Sequence, residues 1–316
     1  MRFTRTAREA RETWRNRPKS GILHHVNPSS GVVAARPIEA RVAGGIKLAG
    51  RAWLAEAPRA VIAIVHGIGE HSGRYAAVAS DLVAARFSVV ALDLPGHGES
   101  PGPRGDLQSW VAVRDPMVNA MFAAPGSFPG QPERLPHVLL GHSMGGLMAL
   151  DFALAHPRDL AAVVVSAPAL VSAMPPWWKL ALANCARLTS PSVGFPTGLE
   201  TDGEGGISRD PEVLRHRDAD RLVHDRISPR LYFDFAEARQ RVTRDARRLA
   251  VPALVLHGEA DRMVWPEGST AFAAAAPRHL VTLITYPGAY HELFNDLGRE
   301  QVIADVVRWL ADVLGR

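Results

Sequence analysis

The six residues Gly141-His142-Ser143-Met144-Gly145-Gly146 constrain this chain more than any other stretch. The apolar run Pro136 to Leu140 precedes them and reads as a short buried strand. Leu147 to Leu154 follows and reads as a helix. A strand, G-x-S-x-G and a helix in that order make a turn tight enough to push a serine hydroxyl out above a sheet. Gly141 and Gly145 suit the turn because a Cβ at either place would meet the adjoining strand or helix. The helix N-terminus beside Ser143 favours negative charge developing there. By itself the motif leaves a chance glycine-rich turn open.

The surrounding pattern narrows the choice. Ile38 to Val42 and Ile46 to Leu54 read as two strands joined at Gly44-Gly45, a hairpin. Val61 to Val65 is a continuous β-branched run, as expected for a strand covered on both faces. A helix to about Arg86, the strand Ser88 to Leu92, a helix over Asp106 to Phe122 and the strand Ala161 to Val165 follow around the Ser143 turn. Alternation breaks between about 169 and 243, where a mostly helical insertion over the sheet is expected. It resumes with strands Pro252 to His257 and Leu280 to Tyr286 and a closing helix Arg299 to Leu314. Such alternation predicts an α/β fold: a mostly parallel sheet of eight strands with helices on both faces. Ligands bind at the carboxyl ends of the strands in sheets of this kind.

The 316 residues suit one α/β domain with an insertion. The expected segments are an arm (1–36), the first core part (37–168), the insertion (169–243) and the second core part (244–316). The isoelectric point near 9.6 invites a nucleic-acid reading, but charge placement argues against it. Residues 1–36 carry eight Arg or Lys against two Glu, and the remainder carries a net −2. The basic character thus belongs to the arm, and the body has no basic stripe or zinc spacing. No apolar core of 7–15 residues follows the arm's first charges, so a secretory leader is not expected. The arm reads as weakly docked, with contact to a lipid surface as the alternative. No apolar run reaches the roughly 18 residues that cross a bilayer. One cysteine, Cys185, excludes an internal disulfide and fits a cytoplasmic location. No metal or other cofactor is implied.

A serine needs a base to take its proton and an acid to orient that base. On a sheet of this kind the chain order is Ser, acid, His. Asp261 lies just past the strand Pro252 to His257, and His291 lies past the last strand. Glu259 and Asp296 compete with Asp261, and Glu292 is expected to support the loop beside His291. The developing oxyanion needs preorganised donors. The backbone N–H of Met144, next after the serine, is one. Ile68, after His66-Gly67 at the end of Val61 to Val65, is the candidate for the second.

His66-Gly67-Ile68-Gly69-Glu70-His71-Ser72-Gly73-Arg74-Tyr75, Asp93 to Ser100, and Gly141 to Gly146 resemble the monoacylglycerol lipase and lysophospholipase branch of the α/β-hydrolases. His257 to Asp261 and Tyr290 to Asn295 resemble its acid and base motifs, and Ile207 to Pro211 with Leu222 to Asp225 resembles its cap. The resemblance covers about residues 37–314. It implies a serine hydrolase without a metal, acting through an acyl-enzyme on esters of one fatty chain. It also implies the same triad (Ser143, Asp261, His291) and oxyanion donors (Ile68, Met144). A small-molecule carboxylesterase or a proline-iminopeptidase-like enzyme is the alternative, the acids Glu200, Asp202, Glu204 and Asp210 being candidates to hold a substrate amine. A non-catalytic binding protein on the same fold is the remote one. In the insertion, Met174, Trp177, Trp178 and Leu182, with Leu180 and Leu188, form an apolar stretch. It is read first as lining for an acyl chain, then as a contact with a lipid surface.

Overall fold

A computed structural model describes residues 33–42, 45–132, 134–173, 175–198 and 203–315. The expectations for residues 1–32 and for Met174, Glu200 and Asp202 lie outside these. Eight strands form one sheet: β1 (Arg36–Arg41), β2 (Lys47–Trp53), β3 (Ala60–Val65), β4 (Phe87–Leu92), β5 (His137–His142), β6 (Ala162–Ser166), β9 (Ala253–Gly258) and β10 (Val281–Tyr286). Their order is β1-β2-β4-β3-β5-β6-β9-β10. β2 runs antiparallel to both β1 and β4, and the other pairs are parallel. β7 (Phe195–Pro196) and β8 (Arg226–Ile227) make a separate antiparallel pair inside the insertion, which the sequence pattern did not indicate.

The helices are α1 (Ala76–Ala84), α2 (Trp110–Ala123), α3 (Met144–Ala155), α4 (Trp177–Thr189), α5 (Pro211–Ala219), α6 (Pro229–Asp245), α7 (Pro266–Ala275) and α8 (Arg299–Leu314). Each central strand supplies both faces of the sheet, as the side-chain period of two requires. Val61, Ala63 and Val65 join a cluster with residues of α2, α3 and α6. Ala60, Ile62 and Ile64 join the opposite cluster with α1 and α8. All six residues of β3 are buried, which explains its unbroken apolar run.

Two expected boundaries move. The helix expected from Asp106 begins at Trp110, because the Ser109 hydroxyl caps it by accepting from the Ala112 N–H. Asp106 is instead engaged by Ser228 and Arg230. The expected end of the insertion, residue 243, falls inside α6. That helix starts at Pro229 behind the Ser228 cap, and its Leu231, Ala238 and Val242 belong to the core cluster beneath the sheet.

The topology fixes where a site can form. The chain leaves β3 for β4 on one side, and β5 then returns on the other side of β3. The loops after β3 and β5 therefore diverge from adjacent strand ends and open a crevice between them.

Candidate active site

Ser143 sits at that crevice, between β5 and α3, with φ 55° and ψ −118°. A non-glycine residue in that region is strained by about 1–3 kcal/mol, and the neighbours hold it there. Its N–H donates to Ser166 O, while its carbonyl accepts from Leu147 and Ala169. A Cβ on Gly141 would lie 2.2 Å from Gly145 O, and one on Gly145 would lie 2.1 Å from Val65 O. Both glycines are thus demanded by close backbone approach.

The loop after β3 comes equally close: a Cβ on Gly67 would lie 3.2 Å from the Ser143 Cβ. The loop is held from within. His66 donates from Nδ1 to Gly67 O at 2.7 Å and accepts the Leu94 N–H at Nε2, 3.0 Å. Burial lowers its pKa, so the neutral ring is the form that bridges these two groups. Glu70 Oε1 accepts the Gly67 N–H at 2.5 Å and the Tyr75 hydroxyl at 2.9 Å. Gly67 therefore has no free N–H. Among the described residues Ile68 donates its own to no acceptor. Met144 opens α3, where a first-turn N–H has no intrahelical partner. Ile68 and Met144 thus offer two backbone donors on either side of Ser143.

His291 and Asp261 are brought together from loops after β10 and β9. His291 Nδ1 donates to Asp261 Oδ2 at 2.7 Å, and both side chains are almost fully buried. Asp261 Oδ1 accepts the N–H groups of Met263 and Val264 at 2.9 and 3.0 Å. Burial alone would raise the Asp261 carboxyl. His291 and the hydrogen bonds outweigh that and hold it well below the usual carboxylate range. Burial likewise works to lower His291, but the Asp261 carboxylate prevails and raises it above the ordinary value. The His142 ring lies 4.7 Å from that of His291. Burial, then repulsion from His291, pushes His142 down to about 4. The two neighbouring imidazoles are thus shifted in opposite directions, His291 toward holding a proton and His142 away from it. The rival acids are placed elsewhere: Glu259 accepts from Thr285, and Asp296 accepts from Arg209.

Two groups of contacts escaped the sequence reading. Arg74 donates to both oxygens of Glu292 at 2.6 and 2.8 Å, and to Glu70 at 3.3 Å. This buried bridge ties the loop carrying Ile68 to the loop carrying His291. Burial would raise Glu70, but Arg74 and nearby histidines hold it down at about 2. The insertion also touches this site: His71 Nε2 pairs with Asp220 at 2.7 Å, and the His224 N–H donates to Gly69 O. The i, i+4 spacing of Glu70 and Arg74 was the only local signal for the first group.

In the insertion, Trp177, Trp178, Leu182 and Leu188 all lie on α4 and face solvent, Trp177 at 80% exposure. Glu204 pairs with Arg262, and Asp210 caps α5 by accepting from the Glu212 N–H. Both acids are thus engaged within the protein. Among the described residues no group of His, Cys, Asp and Glu could hold a metal ion, and no helix is long and apolar enough to cross a membrane.

An eight-stranded, mostly parallel sheet with a strained serine between strand and helix defines an α/β-hydrolase. Residues 56–298 match the family model described as serine aminopeptidase, S33. The monoacylglycerol lipase of Mycolicibacterium smegmatis is 33% identical over 86% of this chain and 95% of its own length. The human monoglyceride lipase is 33% identical over 80% of this chain and 83% of its own. The crystal structure of the Paleococcus ferrophilus monoacylglycerol lipase superposes with a TM-score of 0.75 at 33% identity, over 84% of this chain and 99% of that one. The chain belongs to this serine hydrolase family, in its monoacylglycerol lipase-like branch.

Proposed function

We propose that this protein hydrolyses carboxylic esters of a single fatty acyl chain, as a monoacylglycerol lipase or lysophospholipase. The observation that carries the reading is the strained Ser143 at the sheet crevice together with the buried His291–Asp261 pair, whose imidazole lies 4.7 Å from that of His142, the serine's chain neighbour. Ser143 attacks the ester carbonyl while His291 takes its proton. The N–H groups of Ile68 and Met144 receive the oxyanion. His291 returns the proton to the departing alcohol, leaving an acyl-serine and a glycerol or glycerophospho headgroup. Water, deprotonated by His291, then releases the fatty acid. Asp261 keeps the imidazole proton on Nδ1 and offsets the positive charge that forms. The names of the relatives support the substrate class. The test is a panel of monoacylglycerols of several lengths, a lysophospholipid, a short p-nitrophenyl ester and a proline amide. Preference for a long-chain monoester supports the reading. Activity on the proline amide alone would replace it with a peptidase.

The raised pKa of His291 sets the pH profile. His291 must be neutral to act as base, so kcat/KM rises with pH through a limb above about 6.5, the ordinary histidine value. Initial rates on a soluble ester between pH 5 and 9 measure it. A limb below about pH 6 would contradict this assignment of the base.

We take residues 169–228 as the cap and assign α6 to the core it packs against. The apolar face of α4 is then a contact for a lipid surface, flanked by Lys179 and Arg187. On this reading the enzyme visits membranes without spanning them. Replacing Trp177 and Trp178 together by Ser should weaken binding to anionic vesicles about tenfold or more. Turnover of a short soluble ester should be unchanged. Equal loss on both substrates would show that α4 serves the active site directly.

A further inference from the structure

Asp261 has a second imidazole. His257, the fifth residue of β9 and fully buried, places Nε2 3.2 Å from Asp261 Oδ2, the same oxygen that receives His291. Nε2 also lies 3.0 Å from Val264 O, and Nδ1 lies 2.6 Å from the Ser269 hydroxyl. Carboxylate and carbonyl oxygens only accept, so Nε2 carries the hydrogen. The Ser269 hydroxyl, buried on α7, donates to Nδ1 and fixes that tautomer.

We propose that His257 is a positioning residue for the triad acid, sharing Asp261 Oδ2 with His291 through its Nε2–H. The inference rests on the function proposed above. Asp261 then receives three hydrogen bonds, two on Oδ1 and one on Oδ2, and the His257 Nε2–H, bonded to Val264 O, lies close enough to Oδ2 for a further, shared contact. Its two backbone donors hold Oδ1, and among the described contacts only His291 and His257 face Oδ2. The second donor also withdraws electron density from that oxygen. An oxygen that gives its full acceptor strength to His291 would stabilise the imidazolium more and delay its return of the proton. Burial works against the ionised form of Asp261, and the interaction with His257 is among those that hold the carboxyl down against it.

The test compares the pH dependence of kcat/KM and kcat on a soluble ester for wild type, His257→Phe, His257→Gln, Ser269→Ala and Asp261→Asn. Loss of the donor in His257→Phe should move the acid limb up by about half to one pH unit and lower kcat about tenfold or more. The glutamine amide restores an N–H near the same place, so His257→Gln should recover most of both. Ser269→Ala frees the tautomer without touching Asp261 and should give an intermediate limb. Asp261→Asn should lose about 10⁴ in kcat. Should His257→Phe not fold, the other two variants decide: a wild-type limb in Ser269→Ala, or a Gln variant shifted as far as Ser269→Ala, overturns the proposal. A folded His257→Phe with an unmoved limb overturns it equally. In either case a dead Asp261→Asn leaves the triad reading standing, whereas an active one removes the triad reading itself.

Discussion

Ser143→Ala should lower kcat on a long-chain monoester by on the order of 10⁵–10⁶ and leave the fold intact. The size follows from the division of labour at the site. His291 and Asp261 act only through the serine oxygen, so removing that oxygen idles all three groups at once. Two preorganised N–H donors and the binding crevice would remain, which leaves about 10³–10⁴ over the uncatalysed rate. Stability should barely fall. The residue at this position has φ 55°, a strain the fold imposes and the hydroxyl does not relieve. Ser143→Gly should therefore be just as inactive yet more stable than wild type by about 1 kcal/mol, since glycine adopts that φ without penalty. Initial rates and thermal melts of the two variants check both statements. Substantial turnover by either would mean that another nucleophile acts.

Arg74→Met should cause a comparably large loss in stability. Arg74 is the only cation that the described contacts of Glu292 include, and it also faces Glu70. Removing it leaves two buried carboxylates near each other with no compensating charge. Breaking a buried pair in this way costs about 3–5 kcal/mol. For a chain of this size that corresponds to a melting temperature lower by about 6–20 °C. The pH dependence carries the sign. Burial pushes the Glu70 carboxyl up and Arg74 is the largest influence holding it down, so without Arg74 the penalty applies at neutral pH and lessens as Glu70 protonates on acidification. The gap between variant and wild type should narrow from pH 8 to pH 5. Glu70→Gln and Glu292→Gln added to Arg74→Met should recover part of the loss, because the uncompensated charges are gone. A gap that widened on acidification would refute this account.

The residues that could be read in sequence were those whose reason is local. The Ser143 turn announces itself by its glycine spacing, Gly141 meeting Gly145 within the turn and Gly145 meeting the end of the adjacent β3. The strands announce themselves by apolar runs, and β1 to β10 of the main sheet lie within about two residues of expectation. Asp261 and His291 followed from chain order along a known kind of sheet. The unread features depend on partners far along the chain. Glu292 meets Arg74 across 218 positions, and nothing near either residue encodes that distance. His257 looked like the end of a strand, and its approach to Asp261 depends on which way a side chain four residues later turns. The start of α6 was readable: Ser228-Pro229 is a cap followed by a first-turn proline. The apolar face of α6 continued the helical look of the insertion, which hid the return to the core.

The insertion is fastened unevenly. Gly205, Gly206 and Ile207 accept N–H groups from Arg262, His291 and Glu292, and His224 bonds the Gly69 carbonyl. A Cβ on Gly69 would lie 2.0 Å from His224 O, so no side chain fits that seam. By contrast, α4 carries no buried residue. For anyone exchanging parts between family members, this chain therefore has a natural cut. The stretch about residues 175–190, which stops short of the β7–β8 pair, is a replaceable module whose surface can be chosen for a different substrate phase. Residues 203–228 form part of the frame that ties the loop carrying His291 and the loop carrying Ile68 together, and a chimera must keep them with the sheet.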